Sequence, residues 1–286
     1  MHATRVTVLG SINMDLTAVT DHLPAPGETV LGDAFATAQG GKGANQAIAA
    51  ARSGSETTFL GAVGDDAFAT DLAARLRDAS VDASLLRRTD GPSGIAVITV
   101  DTTGENSIVV VPGANALVTD LTGEELDVIA ESDVLLCQFE IPLSTVTAAA
   151  QHARRNGTLV VLNPSPVHAA PDELLDAVDV LVLNEAEAAA LGTDLLGRVT
   201  HVVTTLGASG ARYSGPAGEF AVPAPVVDAI DTTGAGDAFT GALVAEWPKG
   251  PESAVRWACA AGAFAATRRG AGASSGTRAQ IESELA

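Results

Sequence analysis

Near the end of the chain a carboxylate follows two glycines in DTTGAGDAF, Asp231 to Phe239. The stretch runs into AFTGALVAEW, where Phe239, Ala242, Leu243 and Ala245 share one helical face, so the spacing predicts a helix from Asp237 to Trp247. A glycine-rich turn at a helix mouth leaves backbone N–H groups unpaired at the positive end of the helix dipole. Such a place attracts anions, phosphate above all. Glycines at 234 and 236 let a phosphoryl group approach the backbone with no Cβ in the way. Asp237 is then either the N-cap of this helix or a reactive carboxylate at the rim of an anion site. The same four letters, DTTG, occur at Asp101 to Gly104, between the β-rich runs GIAVITV and NSIVVV. There Asp and Gly suit a hairpin turn, and the chemistry is assigned to the second copy.

GGKGANQA, Gly40 to Ala47, is a second glycine-rich turn entering a helix, and Lys42 is its only charge. Lys42 and Lys249 are the only lysines among 16 basic residues, which makes a lysine set between glycines stand out. The spacing is not GxxxxGK[ST], which excludes a Walker A loop. After the first strand, VTVLG, come Ser11, Ile12 and Asn13 instead of GxGxxG, which removes the dinucleotide fingerprint. Phosphate or polyol binding remains. Asn45 and Gln46 offer amides at the helix start, and Asp15, in GSINMD, offers a carboxylate to hydroxyl groups.

These motifs need a frame. Short apolar runs at Val6–Leu9, Thr57–Ala62, Val134–Cys137, Leu159–Leu162, Val180–Leu183 and His201–Thr205 read as strands buried on both faces. Helical patterns at Ala44–Ser53, Ala67–Ala79, Pro142–Asn156 and Glu185–Leu191 alternate with them. The alternation predicts βαβ units and a mostly parallel sheet, an α/β architecture formed by residues 1–286 as one domain. Two segments break the pattern, about 16–39 and 94–111, and predict a few β-strands projecting from the core as a lid, an interface or a plain edge hairpin. No repeat of fixed period and no low-complexity tail occurs.

At 286 residues and 47% hydrophobic composition, the chain can bury a large core. Its formal charge of −19 argues against binding to a nucleic-acid backbone. Cys137 and Cys259 lie far apart in apolar sequence, which suits buried thiols in a reducing compartment. The N-terminus shows no signal-like apolar stretch, and Ala258–Ala266 is too short to span a bilayer and suits a packed helix. The expectation is a cytoplasmic protein with no membrane partner.

GSINMD, GGKGANQA, NEAE and DTTGAGDAF, in that order, resemble the PfkB family of carbohydrate kinases over essentially the whole chain. The resemblance implies a three-layer α/β/α core with a mostly parallel sheet and a small β-strand lid. It also implies ATP-dependent phosphorylation of a sugar's primary hydroxyl, with D-ribose the leading substrate. By position in the motifs, Asp237 is similar to the family's catalytic base, and the N–H groups of Gly234, Ala235, Gly236 and Asp237 to its anion hole. The sugar side falls on Asn13, Met14, Asp15, Gly41, Lys42, Gly43, Ala44, Asn45 and Glu140, with Met14 bulkier than the residue often found there. Asn184 and Glu187 match the family's NxxE, which organises Mg²⁺ through water; taken alone, NEAE reads as a helix cap. The nucleotide falls on Asn184, on Thr205, Leu206, Gly207, Ala208, Ser209 and Gly210, on Gly236 and Asp237, and near Cys259. A monovalent cation, K⁺ in the first place, falls on Asp231, Thr233, Ala265, Arg268, Gly270 and Ser274, mostly through carbonyls. The family also implies a homodimer formed through the lid.

Other readings stay open at this level. One is a kinase for another sugar or a nucleoside, such as deoxyribose, fructose or an adenosine-like substrate. Another is a sugar or nucleotide sensor without catalysis, which would need neither the carboxylate nor the anion hole. A nicotinamide dehydrogenase is disfavoured by the missing GxGxxG. The segment LGTDLLGRVTH between Glu187 and Val202 is shorter than in the family's longer members.

Overall fold

The computed structural model describes residues 3–285; Met1, His2 and Ala286, at the ends of the expected 1–286 unit, lie outside the described residues. Among the described residues the central sheet has nine strands. Seven run parallel in the spatial order Val81–Asp82, Glu56–Leu60, Arg5–Leu9, Val134–Cys137, Leu159–Leu162, Val180–Asn184 and His201–Thr205. Ala211–Gly215 and Gly218–Val222 extend one edge as antiparallel strands.

Side chains alternate across this sheet with period two, and both faces are apolar. Val134, Leu136, Val180 and Val182 enter one core, with Ile48, Phe239, Leu243, Val255 and Cys259 from the helices Lys42–Arg52, Ala235–Glu246 and Pro251–Ala266. Leu135, Cys137, Leu181 and Leu183 enter the other, under Val146, Ala149, Ala150 and Ala153 of the helix Leu143–Asn156. The result is three layers, helices on each side of the sheet. Each fully buried Val, Leu, Ile or Phe side chain contributes roughly 1.5–3 kcal/mol, while the small Ala residues of the helix faces bring the layers close.

A second sheet stands apart from the first, with the strand order Gly32–Gly40, Asn13–Thr20, Gly94–Val100, Asn106–Val111. Its central pair is parallel and its outer pairs antiparallel. The strand around Asp15 therefore begins at Asn13 and takes in the second half of GSINMD. Asp101–Gly104 joins the last two strands: the Gly104 N–H donates to the Asp101 carbonyl at 3.1 Å, with Gly104 at φ +89°. That copy of DTTG is the expected hairpin turn.

Element boundaries differ from the sequence pattern where glycines intervene. The predicted strand 57–62 splits into Glu56–Leu60 and Ala62–Val63 at Gly61. Two helices begin earlier than their apolar faces suggested, at Lys42 and at Ala235, because the apolar pattern starts only after the first helical residues.

Candidate active site

The polar residues of interest sit just beyond the carboxyl ends of consecutive parallel strands. Asn13 follows the strand ending at Leu9, and Gln138 and Glu140 follow the one ending at Cys137. Asn163 follows Leu162, while Asn184 and Thr205 close their own strands. Strand ends in a parallel sheet point backbone and side chains into one shared crevice, the usual place for a ligand in open α/β sheets.

Asp237 lies at the third position of the helix Ala235–Glu246, whose cap is Gly234 at φ +77°. It is therefore not the N-cap. Gly234 is held close: a Cβ there would come within 2.6 Å of the Ala271 backbone, besides needing a left-handed conformation. The N–H groups of Gly234, Gly236 and Asp237 have no acceptor among the described residues. The Ala235 N–H, by contrast, donates to the Thr232 carbonyl at 3.1 Å, which corrects its expected place among the anion-hole donors. A turn-closing bond has already spent it. The Asp237 carboxylate, only 8% exposed, accepts from Asn45 Nδ2 at 3.1 Å on Oδ2 and from Gln46 Nε2 at 2.9 Å on Oδ1. Lys42 Nζ stands 4.0 Å from Oδ1.

The other glycine-rich mouth is spent internally. The Lys42 N–H donates to Glu140 Oε2 at 2.9 Å, the Gly43 N–H to Ser11 Oγ at 3.4 Å, and the Ala44 N–H to the Ser11 carbonyl at 2.9 Å. Ser11 Oγ in turn donates to Glu140 Oε2 at 2.5 Å. Gly43 permits this contact, since a Cβ would meet the Gly10 and Ser11 backbone at 2.7 Å. Of the two readings open for GGKGANQA, the structure removes phosphate binding at the backbone and leaves recognition of hydroxyls by side chains. No N–H of Lys42, Gly43 or Ala44 is left for a phosphate.

Asn45 and Lys42 approach the Asp237 carboxylate directly, Asp15 and Glu140 lie close enough to couple with this group, and Asn13 opens the strand that carries Asp15. Asp15 has its pKa raised to about 7, chiefly by burial and further by the charges of Glu140 and Asp237. Asp237 pushes the Lys42 pKa up against the opposing effect of burial, and Glu140 and Glu187 add to it, so the ammonium stays charged. Asn13 Oδ1 accepts from Asn115 Nδ2 at 2.7 Å, and Asn115 Oδ1 accepts from the Ile12 N–H at 3.0 Å. Asn115 was invisible in the sequence because it arrives from a short 3₁₀ turn, Gly113–Leu117. Met14 does not join this set. Period-two alternation turns it away from Asn13 and Asp15 into the core, where it is 1% exposed beside Ile12 and Ala44.

Asn184 caps the helix Glu185–Leu191 and forms a reciprocal capping box with Glu187: Asn184 Oδ1 accepts from the Glu187 N–H, and the Asn184 N–H donates to Glu187 Oε2, both at 2.8 Å. Both residues also line a cleft shared with Lys42, Asn163, Thr205, Gly236 and Asp237. Glu187 Oε1 has no protein partner among the described residues. Beyond Thr205, Leu206 starts a tight loop in which its N–H donates to the Gly210 carbonyl at 2.8 Å, with Gly207, Ala208 and Ser209 exposed. Cys259 is a correction. It lies 4% exposed in the core with its thiol on the Val222 carbonyl at 3.7 Å, and burial pushes its pKa up to about 12. Its side chain fills space under the strand Gly218–Val222 and presents no surface to a nucleotide.

The loop before the anion mouth packs on the chain's last turns. Asp231 Oδ1 accepts from the Thr233 N–H at 2.9 Å and Oδ2 from the Gly270 N–H at 2.9 Å. Partial burial opposes ionisation there, yet these hydrogen bonds hold the Asp231 carboxyl below its ordinary value. Arg268 stacks over Phe264 with its guanidinium carbon 3.6 Å from the ring centre, and Ser274 Oγ donates to the Ala271 carbonyl at 2.6 Å. Arg268 thus has only its carbonyl to offer a cation, while Ser274 has its carbonyl and the lone pairs of its hydroxyl oxygen. Together with the Asp231 carboxylate this is an all-oxygen donor set, the chemistry a hard cation takes. Gln46, read from sequence as an amide at the helix start, touches Asp237, while Gln138 and Asn163 behind it were outside the expected site; their one sequence signal was a polar residue directly after an apolar run.

A family model described as pfkB family carbohydrate kinase matches residues 3–278. The ribokinase of Haemophilus influenzae is 37% identical over 292 residues, covering 96% of this chain and 95% of that protein. Among solved structures, ribokinase from Thermotoga maritima superposes with a TM-score of 0.91 at 32% identity, covering 99% of each chain. Arabidopsis thaliana ribokinase complexed with ribose and ATP also gives 0.91, at 30% identity, covering 100% of this chain and 99% of that one.

Proposed function

This chain belongs to the pfkB family of carbohydrate kinases, and from that premise we propose that it transfers the γ-phosphoryl group of ATP to the 5-hydroxyl of D-ribose. The observation that carries the reading is the pairing of Asp237 with the free N–H groups of Gly234, Gly236 and its own backbone at one helix mouth. The carboxylate accepts the proton of the attacking hydroxyl, the hydroxyl oxygen bonds to phosphorus, and the bond to the leaving ADP breaks. The N–H groups stabilise charge on the transferring phosphoryl oxygens, and one such donor is typically worth about 3 kcal/mol. No covalent enzyme intermediate is needed.

Asn13, Asp15, Asn45 and Glu140 hold the sugar hydroxyls, with Lys42 balancing three nearby acids. The loop Thr205–Gly210 receives the nucleotide. Asn184 and Glu187 fit Mg²⁺ held through water, since Glu187 keeps one carboxylate oxygen free beside the cleft. The metal, when bound, neutralises phosphate charge. Asp231 and the carbonyls around it fit a monovalent cation, which would steady the loop that carries Gly234.

The four-stranded sheet acts as the lid, and it pairs with the lid of a second copy. Leu31, Phe35, Ile108, Val109 and Val110 are all more than half exposed, and clustered exposed apolar residues of this kind mark an interaction surface. Residues 3–285 form one domain with this lid. A reducing cytoplasm suits the two free, buried cysteines, and no helix among the described residues is long and apolar enough to cross a membrane.

A coupled ADP-release assay over ribose, deoxyribose, fructose and adenosine tests the proposal. Ribose is the expected best substrate, and Asp237→Asn lowers its turnover by about 10²- to 10⁴-fold. Unchanged turnover in the variant would remove Asp237 from the chemistry, and no turnover on any substrate would favour a sensor.

A further inference from the structure

Behind Asp237 lies a buried chain of three amides that no hydroxyl or charge interrupts. Gln46 is fully buried and uses both Nε2 hydrogens, one on Asp237 Oδ1 and one on Asn163 Oδ1, each at 2.9 Å. Its Oε1 accepts from Gln138 Nε2 at 2.6 Å. Asn163 Nδ2 donates to the Val182 carbonyl at 2.9 Å, so its oxygen must face Gln46. Every amide is thereby fixed in one sense. Were Gln46 turned over, its oxygen would face two oxygens and its NH₂ would face another. Gln138 and Asn163 follow neighbouring strands of the central sheet, and Asn163, anchored on the Val182 carbonyl, ties the orientation to the rigid core; Gln138 Oε1 has no partner among the described residues, so Gln138 supports Gln46 as a donor with no second anchor of its own.

We infer that Gln46, oriented by Gln138 and Asn163, is a positioning residue that locks Asp237 as a carboxylate acceptor aimed at the substrate hydroxyl. An amide suits the task because its NH₂ can only donate. It cannot take the proton that Asp237 must receive, and it cannot lose one. The two amides on Asp237, from Asn45 and Gln46, engage both carboxylate oxygens and stop rotation about the Cβ–Cγ bond. One lone pair on each oxygen is left for the hydroxyl. This inference rests on the reading of Asp237 as the base.

The charged groups facing Asp237 are Lys42 on the helix Lys42–Arg52, Asp15 on the strand Asn13–Thr20, Glu140 after the strand Val134–Cys137, and Glu187 across the cleft. None of them is altered by substitutions in the amide chain. Gln46→Glu replaces the donor by an acceptor and places a second carboxylate against Oδ1. The expected result is a fall in kcat of about 100-fold, with the KM for ribose held, because the geometry of attack is lost and the sugar contacts are not. The acid limb of the pH–rate profile moves to higher pH, since the new carboxylate competes with Asp237 for negative charge. Gln138→Met never touches Asp237, yet removes the donor on Gln46 Oε1 and leaves that oxygen buried without a partner, so Gln46 is held less firmly against Asp237; it lowers kcat about tenfold with KM again held. In the wild-type protein, the Gln46 side-chain amide resonances shift with the same midpoint as the acid limb, a readout independent of any variant's folding. Retention of kcat in a folded variant, a loss confined to KM, or amide resonances that ignore the acid limb would each overturn the inference. Asp237→Asn separates the two readings: if it keeps turnover the base assignment fails, and if it loses turnover while Gln46→Glu keeps it, only the amide chain fails.

Discussion

Asp15 shares its surroundings with Glu140 and Asp237, and burial together with these two charges raises its pKa from 3.8 to about 7. At neutral pH the unliganded protein therefore holds a proton there that the unfolded chain has released. The stability this supplies is complete below about pH 4 and disappears as pH rises through about 7. Asp15→Asn removes the dependence, so its melting temperature gains on wild type by several degrees more at pH 8 than at pH 5. Sugar binding responds in the opposite sense, because only the ionised carboxylate accepts hydrogen bonds from two hydroxyls. The KM for ribose falls between pH 6 and pH 8 in the wild type and is flat in Asp15→Asn; equal melting differences at the two pH values would contradict the assignment. The type and place of Asp15 were legible in GSINMD. Its titration was not, since two of the three causes come from residues 125 and 222 positions away.

Two helices open with glycine-rich turns, and at the level of sequence they look alike. Their N-termini differ in one respect: Glu140 and Ser11 satisfy the mouth at Lys42–Ala44, while nothing among the described residues satisfies the N–H groups of Gly234, Gly236 and Asp237. An unpaired helix N-terminus retains its attraction for phosphate, and a capped one has lost most of it. Titration with inorganic phosphate or ADP, followed by amide NMR, accordingly moves the Gly234, Gly236 and Asp237 resonances and leaves Lys42, Gly43 and Ala44 nearly still. Larger shifts at the second group would reverse the roles of the two helices. The helices themselves were readable from their apolar faces. Their first residues were not, because a helix start depends on which carbonyl the chain can reach, and at Ala235 that choice follows Gly234 packed against Ala271.

At the scale of the molecule, the small sheet exposes apolar residues on both faces, with Ile108 and Val109 pointing to opposite sides. Pairing two such sheets would bury this surface, so Ile108→Asp or Val109→Asp is expected to shift the protein from dimer to monomer in sedimentation and to raise the KM for ribose; a wild-type monomer would end the proposal. The alternation of short apolar runs with helical patterns was enough to determine a parallel α/β core, because a strand buried on both faces can have no other composition. The four motifs were enough to determine the family. Whether a given polar residue faces the site, the core or its own backbone was decided only by tertiary structure. Met14 and Cys259 turned inward, the Ala235 N–H closed a turn, and Gln138 and Asn163 met Gln46 across more than ninety residues. Hydrogen-bond partners are chosen in space, among groups that sequence spacing does not relate, and the site is made of such partners.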